Sequence, residues 1–201
     1  MGEMGTLCSW NILAGHDTMR LRHELPDASL RRMALIAQFT FPGVPLIYYG
    51  EEIGMDGGKD PDNRRTMRWD RQDWRMEEFE FYKSLIRIRK ARRELREGVF
   101  INLTDNLSGD TMAFLRHGCE PDELSVIVLN NSDEPLTKKL LIPYSHLYDG
   151  LLMENLLSAG GHVVVEFGGI NLSLAPKSGM ILVPKEHESP NYRFFRKRAL
   201  S

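Results

Sequence analysis

The stretch Val44-Pro45-Leu46-Ile47-Tyr48-Tyr49, closed by Gly50, decides how the first half of this chain is read. Six apolar or aromatic residues in a row, without alternation, describe a strand buried on both faces, as in parallel sheets covered by helices. Pro42-Gly43, just before it, stops whatever precedes it. What precedes it is helical: Leu30, Met33, Ala34, Ala37 and Phe41 recur at helical spacing between Ala28 and Phe41, and Asp27, after Pro26, is a natural N-cap. Further upstream, TLCSWNIL (Thr6–Leu13) is a second apolar run that breaks at the turn Ala14-Gly15, before His16-Asp17. Strand, helix, strand with short connectors is a βαβ unit, the building block of parallel sheets.

Downstream of Gly50 the chain turns polar. Residues Glu51 to Asp73 form a long loop rich in Gly, Asp, Asn and Arg, and loops of that length are often functional. A helix follows over Arg75–Glu97, with Phe79, Tyr82, Leu85, Ile86 and the Ile88-Arg89 pair along one side, and Gly98 stops it. Beyond Gly98 the period changes. Val99–Leu103, Met112–Arg116, Leu124–Leu129, Lys138–Ile142, Val163–Phe167 and Met180–Val183 are short β-type runs separated by turn clusters such as Asn130-Asn131-Ser132-Asp133. That punctuation predicts an all-β sandwich. The fold class is therefore α/β followed by all-β, with boundaries at 1–98, 99–186 and a polar, basic tail at 187–201.

Composition narrows the function. Twenty-six Lys and Arg against 28 Asp and Glu give a formal charge of -2, which offers no electrostatic reason to bind nucleic acid. No run approaches the ~18 apolar residues of a membrane span, and the opening Met-Gly-Glu-Met-Gly is not a secretory leader, so a cytoplasmic setting and no membrane partner are expected. The basic tail, Arg193-Phe194-Phe195-Arg196-Lys197-Arg198, reads as a solvated terminus. Cys8 and Cys119 belong to no CxxC or Cys/His cluster and read as small buried hydrophobes. No cofactor is expected. Asp56, Asp60 and Asp62 do not match a calcium-loop spacing, so no metal is expected either.

Two segments carry chemistry. His16 and Asp17 follow a buried strand, where side chains of this type can hydrogen-bond adjacent sugar hydroxyls; the plain alternative is a turn aspartate beside a surface histidine. The segment Gly57–Asp70 combines turn formers, carboxylates, the pair Arg64-Arg65 and Trp69. Arg and Asp supply directed hydrogen bonds to hydroxyls, and an indole can stack on a sugar's apolar face. The alternative there is a charged surface turn pairing with itself. Glu51-Glu52 read as capping groups for the following turn.

Taken in order, His16-Asp17-Thr18, the segment Phe41–Gly54, Asp60-Pro61-Asp62-Asn63-Arg64-Arg65, Met67-Arg68-Trp69-Asp70 and the helix with Phe79, Tyr82, Lys83, Leu85, Ile86 and Arg89, then Leu95-Arg96-Gly98, resemble the α-amylase family of glycoside hydrolases. The nearest look is to neopullulanases, cyclomaltodextrinases and maltogenic amylases. The resemblance is specific over about residues 6 to 98 and general beyond. It implies the C-terminal portion of a TIM (β/α)8 barrel, with Thr6–Leu13 and Val44–Tyr49 as its seventh and eighth strands, then a small antiparallel β-sandwich. It implies that His16 contacts the sugar at the cleavage subsite, that Asp17 stabilises the transition state without being nucleophile or acid, and that Asp60 and Arg64 hold the sugar beyond. Substrates would be α-glucans or maltooligosaccharides. Gly15 stands where the family usually has Asn. The family's nucleophile and acid/base lie on earlier strands, and a barrel needs ~250 residues, so this chain is expected to be an inactive C-terminal part of a retaining hydrolase or transglycosylase. Its exposed barrel edge would pair with an N-terminal barrel portion or with itself. Two other readings stand beside it: a non-catalytic amylase-like scaffold, and a free-standing sugar-binding sandwich over 99–186 using Phe100, Phe114, Tyr144, Tyr148 and Phe167, most of which read as core.

Overall fold

The computed structural model describes residues 6–185 except 105, 106, 108, 145, 146 and 159. The opening Met-Gly-Glu-Met-Gly and the basic tail lie outside the described residues. Two strands, β1 (Trp10–Ile12) and β2 (Val44–Leu46), pair in parallel with Trp10 opposite Val44 and Ile12 opposite Leu46. Both are shorter than the apolar runs suggest. Residues 6–7 are helical, and Ile47–Tyr49 leave the sheet toward the turn at Gly50. A two-stranded sheet offers each strand one neighbour, so strand geometry persists only where the two face each other. The outer side is open: Trp10 is 67% exposed and Val44 49%.

A single helical turn, α1 (Leu21–Glu24), and the long helix α2 (Ala28–Thr40) join them. The Asp27 carboxylate accepts from the Ser29 and Leu30 amides, as its N-cap position predicts. Phe41 precedes Pro42 and is extended, which ends the helix. The carbonyls left at that end are taken by two buried arginines from elsewhere. Arg89 donates to the carbonyls of Phe39 and Gly43, and Arg116 donates to that of Thr40 at 2.8 Å. Cations at a helix C-terminus also complement its dipole.

The helix expected over 75–97 is two: α3 (Met76–Ala91) and α4 (Arg93–Glu97), broken at Arg92. The break frees the Arg92 guanidinium to pair with Glu94 at 2.7 Å and to donate to the Leu124 carbonyl. Gly98 follows with φ -74, so it is not a left-handed cap. A Cβ there would sit 2.5 Å from the Glu94 and His117 carbonyl oxygens, and close approach is what requires glycine.

Eight antiparallel strands follow: β3 (Val99–Asn102), β4 (Thr111–His117), β5 (Leu124–Asn130), β6 (Leu136–Leu141), β7 (Leu152–Asn155), β8 (His162–Glu166), β9 (Gly169–Leu174) and β10 (Ser178–Pro184). The order across the sheet is β3-β4-β5-β10-β7-β8-β9-β6. Two separate layers were expected; hydrogen bonding instead runs through all eight. The link is the β8–β9 hairpin, where Phe167 (φ 47) and Gly168 (φ 69) form a two-residue turn between Glu166 and Gly169. Strands β7 and β9 were not read from the sequence. LMEN is short, whereas GINLSL alternates, Ile170, Leu172 and Leu174 buried and Asn171 and Ser173 exposed, so β9 carries a period-two signal.

The period of two explains the packing. On β4, β5 and β10, Ala113, Leu115, Leu124, Val126, Val128, Met180 and Leu182 enter a core shared with β6 and β9. Phe114, Ile127, Leu129 and Ile181 point the other way, onto Leu35, Ile36 and Phe39 of α2 and Tyr82 and Leu85 of α3. At Gly179 a Cβ would meet the terminal methyls of Leu129 and Ile36 at under 3.0 Å, so glycine lets α2 settle on β10 without displacing them. Of the aromatics expected in this core, Phe114 is fully buried and packs against both Phe41 and Phe100, whereas Phe167 is 82% exposed at its hairpin tip. Both cysteines are exposed free thiols, against the buried reading: Cys8 lies in the turn before β1 and Cys119 in the β4–β5 turn, sites that turn geometry puts in water. Among the described residues no helix is long and apolar enough to cross a membrane.

Candidate functional site

The residues singled out by chemistry sit on the loops that leave β1 and β2. After β1 the chain makes a tight turn over Gly15–Thr18. The Gly15 amide donates to Thr18 Oγ1 at 2.9 Å, and the Thr18 amide donates back to the Gly15 carbonyl at 3.3 Å. His16 and Asp17 occupy its centre and are thrust outward. His16 Nε2 lies 3.0 Å from Asp17 Oδ2.

The second loop is folded onto this turn. A Cβ on Gly57 would stand 2.7 Å from the Asp62 carbonyl oxygen and 2.9 Å from Asn63 Cα, so the loop closes only with glycine there. The Gly57 carbonyl then accepts from the Arg20 amide at 3.0 Å. Asp62 Oδ2 accepts from the Gly58 amide and Oδ1 from Arg65 Nε, at 2.7 and 2.8 Å. Those contacts hold the Asp62 carboxyl below the usual range, the Gly58 amide contributing most. Tyr49 donates its hydroxyl proton to the Arg65 carbonyl at 2.8 Å, tying the end of β2 to the same loop.

The result brings together all four residues named from the sequence. Arg64 Nε lies 3.0 Å from Asp60 Oδ1 and donates to the His16 carbonyl at 3.1 Å, and Arg64 Nη2 is 3.6 Å from Asp17 Oδ1. A continuous chain of polar contacts runs His16–Asp17–Arg64–Asp60 across an exposed surface. Ion pairs this exposed contribute little to folding. Their partners can be exchanged for hydroxyl groups of a ligand at small cost. Trp69, 80% exposed, stands on the same loop, anchored on either side by the Trp74 indole N–H donating to the Arg68 carbonyl and by Asp70 accepting from the Gln72 amide.

Beneath this surface lies a group the sequence did not disclose. Arg20 is fully buried, its guanidinium 4.8 and 4.9 Å from the ring centroids of Tyr48 and Tyr49. It donates to the Tyr49 carbonyl at 2.7 Å and pairs with Glu51 at 3.4 Å. Glu51 also accepts from the Leu21 amide at 3.2 Å, so it serves the first turn of α1 and not, as read from the sequence, the turn that follows it. Burial raises the Glu51 pKa to about 7 despite the opposing pull of Arg20. Nothing in local sequence marks Arg20 or Asn63, because their partners lie 31 and 47 residues away. Among the described residues no group of three or more His, Cys, Asp or Glu is placed to hold a metal ion.

Residues 3–77 match the alpha amylase catalytic-domain family. A cyclomaltodextrinase from a Bacillus species is 40% identical over 126 residues, covering 62% of this chain and 22% of the relative. Neopullulanase 2 of Thermoactinomyces vulgaris is 38% identical over 174 residues, covering 86% of this chain and 29% of the relative. The crystal structure of an Anoxybacillus alpha-amylase superposes with a TM-score of 0.77 at 28% identity, covering 91% of this chain and 39% of that one. The chain thus spans well under half the length of these proteins. The resemblance to the α-amylase glycoside hydrolases drawn from the sequence holds.

Proposed function

We infer, for a chain whose residues 3–77 match the α-amylase catalytic domain, that it is a substrate-holding C-terminal part of a retaining α-glucan hydrolase or transglycosylase. In this reading residues 1–98 form the end of a (β/α)8 barrel, residues 99–186 a small C-terminal antiparallel β-domain and residues 187–201 a polar tail. His16 contacts the sugar at the cleavage point. Asp17 binds its ring hydroxyls through bonds that tighten as oxocarbenium character develops, which lowers the barrier. Asp60 and Arg64 hold the adjoining sugar. The ligand is an α-glucan or maltooligosaccharide.

The observation that carries the reading is the exposed His16–Asp17–Arg64–Asp60 chain, assembled from residues up to 48 positions apart. It is a surface of alternating donors and acceptors suited to adjacent hydroxyls.

Nucleophile and acid/base are not assigned to this chain. Retaining cleavage needs two carboxyls about 5–5.5 Å apart, one of them protonated. Burial raises the Glu51 pKa to about 7, yet Glu51 lies against Arg20 beneath the surface and cannot reach a glycosidic oxygen. The open side of β1 and β2 fits cover by an N-terminal barrel portion or a second copy, since parallel strands are normally buried on both faces. Calorimetric titration of the 201-residue chain with maltoheptaose tests the proposal. Asp17→Asn and Arg64→Ala should each weaken binding about tenfold, and no reducing sugar should be released. Equal binding by all three proteins, or hydrolysis by the chain alone, would sink it.

A further inference from the structure

We propose that Asn63 is a positioning residue for the His16–Asp17 pair; this rests on the sugar-binding reading above. Asn63 is completely buried, although it belongs to a loop that is otherwise largely exposed. Its Nδ2 donates to the carbonyls of both His16 and Thr18, each at 2.8 Å. Two carbonyl acceptors 2 residues apart demand an amide nitrogen with both protons engaged, so the orientation of the side chain is dictated. Its Oδ1 is buried without a hydrogen-bond partner among the described residues. That is a cost accepted for the sake of the two donated bonds.

The consequence follows from the turn's own bonding. Within Gly15–Thr18 the amide of Gly15 and the hydroxyl of Thr18 satisfy each other, but the His16 and Thr18 carbonyls have nothing of the turn's own to bind. Asn63 supplies both, and the next residue, Arg64, adds its Nε to the same His16 carbonyl at 3.1 Å. The loop that carries Asp60 and Arg64 is thereby locked in register with the turn that carries His16 and Asp17. The four sugar-facing groups hold one geometry because a buried amide, which touches no ligand, spans the two loops. Preorganisation of this kind acts on affinity by removing an ordering cost.

Asn63→Asp is the isosteric test: it replaces the two-proton donor with oxygens facing two carbonyls. The variant should fold, bind maltoheptaose about tenfold more weakly, and release the His16 and Asp17 amides into nanosecond motion in 15N relaxation while the β-sheet amides stay rigid. Asn63→Ala should behave alike. A folded variant with unchanged affinity and rigid His16 and Asp17 amides overturns the proposal. So does failure of both variants to fold, because Asn63 is then a folding residue and not a positioning one. If the wild-type chain does not bind maltoheptaose, the sugar reading fails, and the relaxation arm still decides whether Asn63 fixes the turn.

Discussion

The two halves of this molecule are held together by different means. In the eight-stranded sheet, β4, β5 and β10 send alternate side chains into two apolar cores, and β5 is buried at every position. In the strand–helix–strand half, β1 and β2 expose Trp10 and Val44, and order comes from buried polar anchors: Arg20 with Glu51, Arg89 and Arg116 on the end of α2, and Gln38 donating to the Asn11 and Leu46 carbonyls at 2.9 Å. The difference teaches where function can sit. Apolar packing is tolerant of composition and indifferent to direction. Hydrogen-bonded anchors fix direction, and the proposed sugar-binding surface is built over them.

That contrast can be broken by experiment. Leu115, fully buried in the sheet core, should be the most expensive residue to truncate. Leu115→Ala should lower unfolding free energy by about 2–5 kcal/mol in urea titrations, with maltoheptaose affinity per folded molecule unchanged. Altered affinity would mean the halves are not separable in this way.

Glu51 gives the next largest effect and tests the polar half. Its folded pKa, about 7, lies above the ordinary value of 4.5, so the native state holds the proton more tightly than the unfolded chain. Stability from this group is fully present below about pH 4.5 and is lost as pH rises toward 7. The shift sets an upper bound of about 3 kcal/mol across that window. Thermal midpoints of wild type minus those of Glu51→Gln should therefore fall between pH 4.5 and 7.5. A flat or rising difference would show that the Arg20 charge prevails over burial.

The smallest effect sharpens the comparison at α2, the element common to both halves. Asp27→Ala removes the acceptor for the Ser29 and Leu30 amides and should cost about 1 kcal/mol in the same titrations. A loss several times larger would place α2 under tighter control from its N-terminus than from the arginines at its other end.

Much of the fold was legible because its signals are local. The Asp27 cap, the stop at Phe41-Pro42, the apolar spacing of α2 and the runs that became β4, β5 and β10 all depend on neighbours within a few residues. The short strand β7 and the break at Arg92 were missed because each depends on what lies across space, whereas the alternation of β9 and the turn positions of both cysteines were local signals left unread. Arg92 looks like any helical arginine until the β5 carbonyl that draws it out is present. At the site, His16, Asp17, Asp60 and Arg64 were readable as residue types on loops after strands. That they share one surface was not, and neither were the buried Arg20, Glu51 and Asn63 that hold them there.

The amino-acid sequence alone was enough for the Asp27 cap, the stop of α2 at Phe41 and the strands β4, β5 and β10, and for marking polar side chains able to hydrogen-bond hydroxyls, because capping, periodicity and side-chain pattern act over short range. The folded chain added what no local pattern holds: the turn at residue 16 and the loop at residue 64 meet, with Asn63 and Arg64 donating to the His16 carbonyl. Hydrogen bonds between residues tens of positions apart leave no periodic trace in a sequence; they exist only once the chain has closed on itself.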